Sequence, residues 1–160
     1  MFRIGIGSDI HRLVEGRPLV IGGVKIESDL GADGHSDADV LCHALCDAIL
    51  GALSLGDLGK HFPTDEERWR NAESFIFLRY VVGLMKEHGY RVVNVDSTVH
   101  LEEPKLRPYI DEMKVGLVGV LEGEPNCVSV KAKTGEGVDA VGKRRAVRAD
   151  AIVLLSKIST

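Results

Sequence analysis

Asp9 and His11, in "SDIHRL" (residues 8–13), are spaced for joint chemistry. They follow the apolar opening "MFRIGIG", which reads as a strand over residues 2–7. In an extended chain the side chains at i and i+2 leave from one face, so this carboxylate and imidazole can point at a single object. A divalent metal is the natural candidate. Alone, a D-x-H pair more commonly reads as a turn aspartate beside a surface histidine. The chemistry needs a third ligand.

His43 supplies one. "HSDADVLCHALCDAILGALSLG" (35–56) carries a helical period, with Leu41, Leu45, Ala48, Ile49 and Ala52 forming one apolar stripe. Ser36 reads as the N-cap and Asp39, three on, as its capping-box partner. At about 100° per residue His43 falls opposite the stripe, with Asp39, Cys46 and Asp47 as its one-turn neighbours. One carboxylate and two imidazoles suit tetrahedral zinc with a fourth position open to substrate. The rival set Cys42, His43 and Cys46 is poorer, because one helix face cannot surround an ion.

Further elements must hold these groups. Residues 18–27, with Gly-Gly in "VIGGVKI", read as strand and tight hairpin. A second helix is predicted from Asn71 to Glu87, with Phe75, Leu78, Val82 and Met85 inward and Gly89 as its stop. "YRVVNVDSTVHL" alternates Val93, Val95, Ser97, Val99 and Leu101 as a half-buried strand. Pro108 opens a third helix with the face Ile110, Met113, Leu117 and Leu121; strands near 127–133 and 146–157 complete the set. Strands with helices laid against them make a two-layer α/β sandwich in a single domain, residues 1–160. Neither a G-x-G-x-x-G after the first strand nor a Walker A sequence is present, so nucleotide binding by those routes has no support.

Composition narrows the function classes. Hydrophobic residues make up 44% of the chain, enough for one sizeable core, and no apolar run approaches the roughly 20 residues of a membrane span. Net charge is −4 and aromatics are 5%, with no basic stripe interleaved by aromatics, which argues against a nucleic-acid surface. The basic cluster "KRRAVR" (143–148) reads as a solvated strand face or a phosphate contact. Cys42, Cys46 and Cys127 show no C-x-x-C and fit a reducing compartment. With no signal-peptide pattern, a cytoplasmic or plastid-type matrix location is expected.

Polar loops add to the metal set. "HSD" (His35, Ser36, Asp37) opens the first helix, where free amides favour anions. "GDLGKHFPTDEE" sets Asp57 between glycines ahead of an acidic loop through Asp65 and Glu66; "EEPKLRP" carries Lys105, and "VKAKTGEG" carries Thr134 and Glu136. Singly, each reads as a cap or loop residue. Together they fit a metal-assisted phosphate site.

"SDIHRL", "GHSDADVLCHALCDAILGALSLGDLGKHFP", "EEPKLRP" and "VKAKTGEG", in this order and spacing, resemble the 2-C-methyl-D-erythritol 2,4-cyclodiphosphate synthase family over essentially the whole chain. The resemblance implies a ferredoxin-like α/β (α+β) sandwich with a mixed sheet, helices on one face, and a homotrimer whose sheets line the three-fold axis. It implies a lyase of non-mevalonate isoprenoid biosynthesis. The 2-phosphate of 4-diphosphocytidyl-2-C-methyl-D-erythritol 2-phosphate would attack the β-phosphorus and expel CMP. Zinc would sit on Asp9, His11 and His43, and Mg2+ or Mn2+ would bridge the phosphates with Glu136. His35 and Thr134 match the polarising positions. Substrate contacts would come from Asp9, Ile10, His11, His35, Ser36, Asp57, Leu58, Gly59, Phe62, Pro63, Thr64, Asp65 and Glu66. The cytidine side would come from Leu101, Pro104, Lys105, Leu106, Arg107, Lys133, Thr134, Gly135 and Glu136, with Ala132, Ala140 and Lys143 as further substrate contacts. Sites would lie between subunits.

The chain departs from the family where "GKRRA" (142–146) replaces a common "GRGEG" and where Ser8 replaces a frequent aromatic residue. Lys143 keeps charge but loses bidentate geometry, and Arg145 stands where glutamate is common. An isoprenoid diphosphate on the trimer axis thereby lacks its usual partners here. Two alternatives stand beside the cyclase: a metal-stabilised structural trimer without turnover, and a metal-dependent phosphohydrolase using metal-bound water.

Overall fold

The computed structural model describes residues 1–63 and 65–158. Its frame is a five-stranded sheet built on one long strand, β1 (Phe2–Glu15). The sheet order is β4 (Leu30–Asp33), β1, β7 (Ala146–Lys157), β5 (Tyr90–His100), β6 (Val128–Lys133). Only β5 and β6 run parallel; the other neighbours are antiparallel. Three long helices, α1 (Val40–Leu53), α3 (Ser74–Glu87) and α4 (Ile110–Leu121), cover one face, giving an α+β two-layer arrangement. Short α2 (Leu58–His61) and a 3-10 turn (Glu67–Trp69) bridge α1 to α3.

Strand β1 does not end before Asp9. It continues through His11 to Glu15, paired with β7 from Phe2 to Arg12, so the D-x-H spacing acts inside a regular ladder. Its glycines set how closely α1 approaches. A Cβ on Gly5 would sit 1.9 Å from the Ala48 carbonyl oxygen, and one on Gly7 would sit 2.1 Å from that of Ala44. The small residues Ala44 and Ala48 face them, and helix meets strand backbone to backbone.

The other helix starts and one strand phase correct the sequence reading. Asp39, not Ser36, is the N-cap of α1, and its carboxylate accepts the Leu41 and Cys42 amides. The same buried carboxylate accepts the amides of Gly22 and Gly23 at 2.8 and 2.7 Å. Those glycines form the positive-φ turn between β2 (Leu19–Ile21) and β3 (Val24–Ile26), the hairpin expected from "VIGGVKI". The Leu41 and Cys42 amides of the first turn are therefore taken up by this cap. Helix α3 begins at Ser74, three residues after the expected Asn71, and Phe75 is only partly buried. A register shift between Val92 and Asn94 buries Val92 and leaves Val93 exposed, after which Val95, Ser97 and Val99 alternate inward as read.

The apolar stripe of α1 is buried as expected, but so are Val40, Cys42, Ala44, Cys46 and Leu50, because α3 and the hairpin close around it. Burying apolar surface at about 25 cal/mol per Å2 makes this helix the centre of the core. The opposite sheet face stays bare. Phe2, Ile4, Ile6 and Ile10 alternate onto it from β1, with Ile152 beside Ile6 on β7.

Candidate metal centre

Asp9 and His11 reach past the end of the Gly7 contact toward His43 on α1, and the three atoms nearly touch. Asp9 Oδ2 lies 3.0 Å from His11 Nε2 and 2.9 Å from His43 Nδ1, while the two nitrogens are 3.3 Å apart. This is the group of His, Cys, Asp and Glu side chains among the described residues able to enclose one ion. The side chains are 25%, 19% and 12% exposed respectively, so the cluster is recessed yet reachable. It fits the donor set of a tetrahedral zinc site with one vacant position.

Electrostatics in the cluster favour a positive charge. Burial pushes the Asp9 carboxyl up, but hydrogen bonds from His11 and His43, together with their charges, outweigh it and hold it well below the usual carboxylate range. Burial likewise lowers His11, and the Asp9 hydrogen bond and charge, helped by Asp33, raise it above 6.5 overall. A proton shared there occupies the place a metal ion takes, and binding a metal releases it. His11 is oriented from behind: its Nδ1 lies 2.8 Å from the Asp33 carbonyl oxygen, which can only accept, so Nδ1 carries the hydrogen and Nε2 faces the cluster.

A cleft of about 280 Å3 opens beside the three ligands. Of the residues read from sequence, it brings in Asp9, His11, His35, Ser36, His43, Leu58, Gly59 and Phe62. His35 Nε2 is held 3.1 Å from the Glu66 carbonyl oxygen. Asp57 caps α2 by accepting the Lys60 amide, and Asp57, Pro63, Asp65 and Glu66 are not among the residues lining the cleft. The side chain of Ile10 points to the bare sheet face, leaving its backbone alone for ligand contact. Thr64 lies outside the described residues.

Three lining residues were not singled out as ligand contacts. Trp69 meets Phe62 and Phe77 edge-on, and Phe77 lies tilted against Phe62, forming an aromatic wall with centroids 4.6–5.6 Å apart. Asp47, one helical turn beyond His43, accepts the Leu58 amide at 2.7 Å and so anchors α2 at the cleft rim. Its i+4 spacing from His43 was visible; the aromatic wall carried only the signal of a helix-period Phe77 and a lone tryptophan.

The remaining candidates gather elsewhere. Glu103, Pro104 and Lys105 line a second cleft with Asp29 and Arg144. Thr134 donates to Glu136 at 2.5 Å, and the Gly135 amide bonds Glu102, while Leu101 and Leu106 are buried in the core. Ala132 and Lys133 end β6, and Ala140 and Lys143 lie in the turn leading to β7. Strand β6 is three strands from β1, on the order of 14 Å across the sheet. Thr134 and Glu136 therefore do not share the cleft of their own metal cluster.

Fold and site define an α+β protein with a recessed cleft beside a group of side chains able to hold a metal ion. The chain belongs to the YgbB family, whose model matches residues 2–156. It is 49% identical to the 2-C-methyl-D-erythritol 2,4-cyclodiphosphate synthase of Natranaerobius thermophilus over 98% of this chain and 99% of that one. A solved 2C-methyl-D-erythritol-2,4-cyclodiphosphate synthase in its CDP-bound form superimposes with a TM-score of 0.89 at 40% identity, covering 96% of this chain and all of that one. The bifunctional IspDF of Campylobacter jejuni matches with a TM-score of 0.95 at 33% identity over 99% of this chain, which spans 43% of that longer protein.

Proposed function

We propose that residues 1–160 form one cyclase domain that converts 4-diphosphocytidyl-2-C-methyl-D-erythritol 2-phosphate to 2-C-methyl-D-erythritol 2,4-cyclodiphosphate. The 2-phosphate oxygen bonds to the β-phosphorus, the bond from that phosphorus to the α–β bridging oxygen breaks, and CMP leaves with that oxygen. The reading is supported above all by the convergence of Asp9, His11 and His43 within 3.3 Å at the floor of an open cleft.

The attacking group is an anion already, so no protein nucleophile or strong base is needed. The thiols conform: burial pushes Cys42, Cys46 and Cys127 up, away from the reactive thiolate. The obstacle is repulsion between two phosphates. Asp9, His11 and His43 would hold a divalent ion, zinc in this reading, which would supply Lewis-acid polarisation of the β-phosphate, and Glu136 would help hold Mg2+ or Mn2+ as the second ion. His35, in the cleft, steadies the β-phosphate side, and Ser36 lies against the metal ligands. Phe62, Trp69 and Phe77 give the cleft an apolar wall beside the ligands.

Assembly completes the site. Thr134, Glu136 and the cytidine-side loops sit about three strands away from the ligands of the same chain, so they serve a neighbour's cleft in a homotrimer. The bare face of Phe2, Ile4, Ile6 and Ile152 supplies the apolar surface for that assembly. Among the described residues no helix is long and apolar enough to cross a membrane, and a cytoplasmic setting is the proposed one.

The test is turnover in H2(18)O. With the cytidylyl substrate, Zn2+ and Mg2+, the protein releases CMP and a cyclic diphosphate free of solvent label. A linear product carrying 18O would contradict ring closure and identify a phosphohydrolase.

A further inference from the structure

We propose that Ser74, held by Asp37, is a positioning residue that selects the metal-binding tautomer of His43; this rests on the metal reading above. His43 offers Nδ1 to the cluster, so its Nε2 must carry the hydrogen for that lone pair to be free. The structure shows what stands at Nε2. Ser74 Oγ is 3.0 Å away, buried to 1% exposure at the first position of α3. The Ser74 hydroxyl hydrogen is already committed to Asp37 Oδ1, and Asp37 Oδ2 accepts the Ser74 backbone amide at 2.9 Å. A carboxylate only accepts, so Ser74 Oγ has given its one hydrogen away and faces His43 with a lone pair. It can stabilise the Nε2–H ring and cannot stabilise the Nδ1–H ring.

Ser36 does not duplicate this role. Its Oγ lies farther from Nε2, at 3.3 Å, and it accepts the Ala38 amide while its own hydrogen stays uncommitted. It can therefore donate or accept, and serves either tautomer. The polarity comes from Asp37, which also stands in as cap for α3, since Glu73 at the N-cap makes no side-chain bond to the helix. Backbone bonds from Asp37 to Ala72 and from Asn71 to His35 tie the two loops in register. The start of α3 thereby reaches the metal position through one hydrogen bond and one ring, with Asp37 one bond further back.

The experiment titrates Zn2+ alone, against a chromophoric chelator, into wild-type protein, Ser74→Ala, Asp37→Ala and the double variant. Two-bond 15N–1H spectra of the metal-free proteins read the His43 tautomer. Each single variant is expected to weaken zinc binding by about 10-fold or more, as loss of a ligand's outer partner does. The double variant should bind no more weakly than the poorer single, because both act through one relay. Asp9 Oδ2, 2.9 Å from Nδ1, favours a hydrogen there in the metal-free protein, so the spectra are read at Nε2: it should carry a hydrogen in wild type and lose occupancy in both variants. Ser74→Ala is the smaller change and decides the matter if Asp37→Ala fails to fold. Zinc affinity within threefold of wild type in Ser74→Ala, or an unaltered Nε2 occupancy there, overturns the inference while leaving the metal site standing. Wild-type protein that binds no zinc overturns both.

Discussion

At the scale of single residues the site is a set of side chains each held from behind. His11 is fixed by the Asp33 carbonyl, His43 by Ser74, and Asp9 by both imidazoles. When the shared proton leaves, these contacts aim three donor atoms at one point. His43 is 12% exposed on the side of α1 away from the Leu41–Leu45–Ile49 packing. His43→Ala should therefore cost zinc affinity by several orders of magnitude and abolish turnover, while thermal unfolding of the metal-free protein shifts by only a few degrees. Isothermal titration with Zn2+ beside a melting curve checks both halves. The ligand triad was legible in the sequence because i, i+2 on a strand and the far side of an amphipathic helix are positions that periodicity fixes. The Ser74 contact was not, since a helix N-terminus 31 residues from His43 meets it only through tertiary packing.

At the scale of elements, the site depends on how closely β1 and α1 approach. The glycines of "RIGIG" are required by proximity: a Cβ at Gly7 would fall 2.1 Å from the Ala44 carbonyl oxygen, one residue from His43. Gly7→Ala must push α1 outward and carry His43 away from Asp9. The expected cost is about 3 kcal/mol, or roughly 10 °C in Tm, with zinc affinity falling alongside. A calorimetric scan with a zinc titration on the same sample measures both. Helix and strand existence followed from periodicity, whereas the boundaries moved where tertiary bonds intervened. Asp39 caps α1 because its carboxylate also binds the Gly22–Gly23 turn, and that demand outweighs the local Ser36 capping box. Val93 was misphased because a single-residue bulge is invisible to a two-residue repeat.

At the scale of the whole molecule, one sheet face is core and the other is bare. Phe2, Ile4 and Ile6 are 68–72% exposed, and Ile6 pairs with Ile152, so the apolar patch is continuous across two strands. Toward the other end of β1 and β7 the face turns polar, with Asp150 paired to both Arg148 and His100. In the proposed trimer the apolar end is the surface that copies of the chain would cover. Ile6→Asp should yield monomers by sedimentation velocity, retaining zinc but losing turnover. Trimers of that variant would place the interface elsewhere.

The measurement that bears most directly on the centre of this account is zinc K-edge absorption on the loaded protein. The expected result is one zinc per chain with only nitrogen and oxygen neighbours at about 2.0–2.2 Å, and a phosphorus shell that appears when CDP is added. A sulfur neighbour near 2.3 Å, or four protein ligands indifferent to CDP, would contradict it.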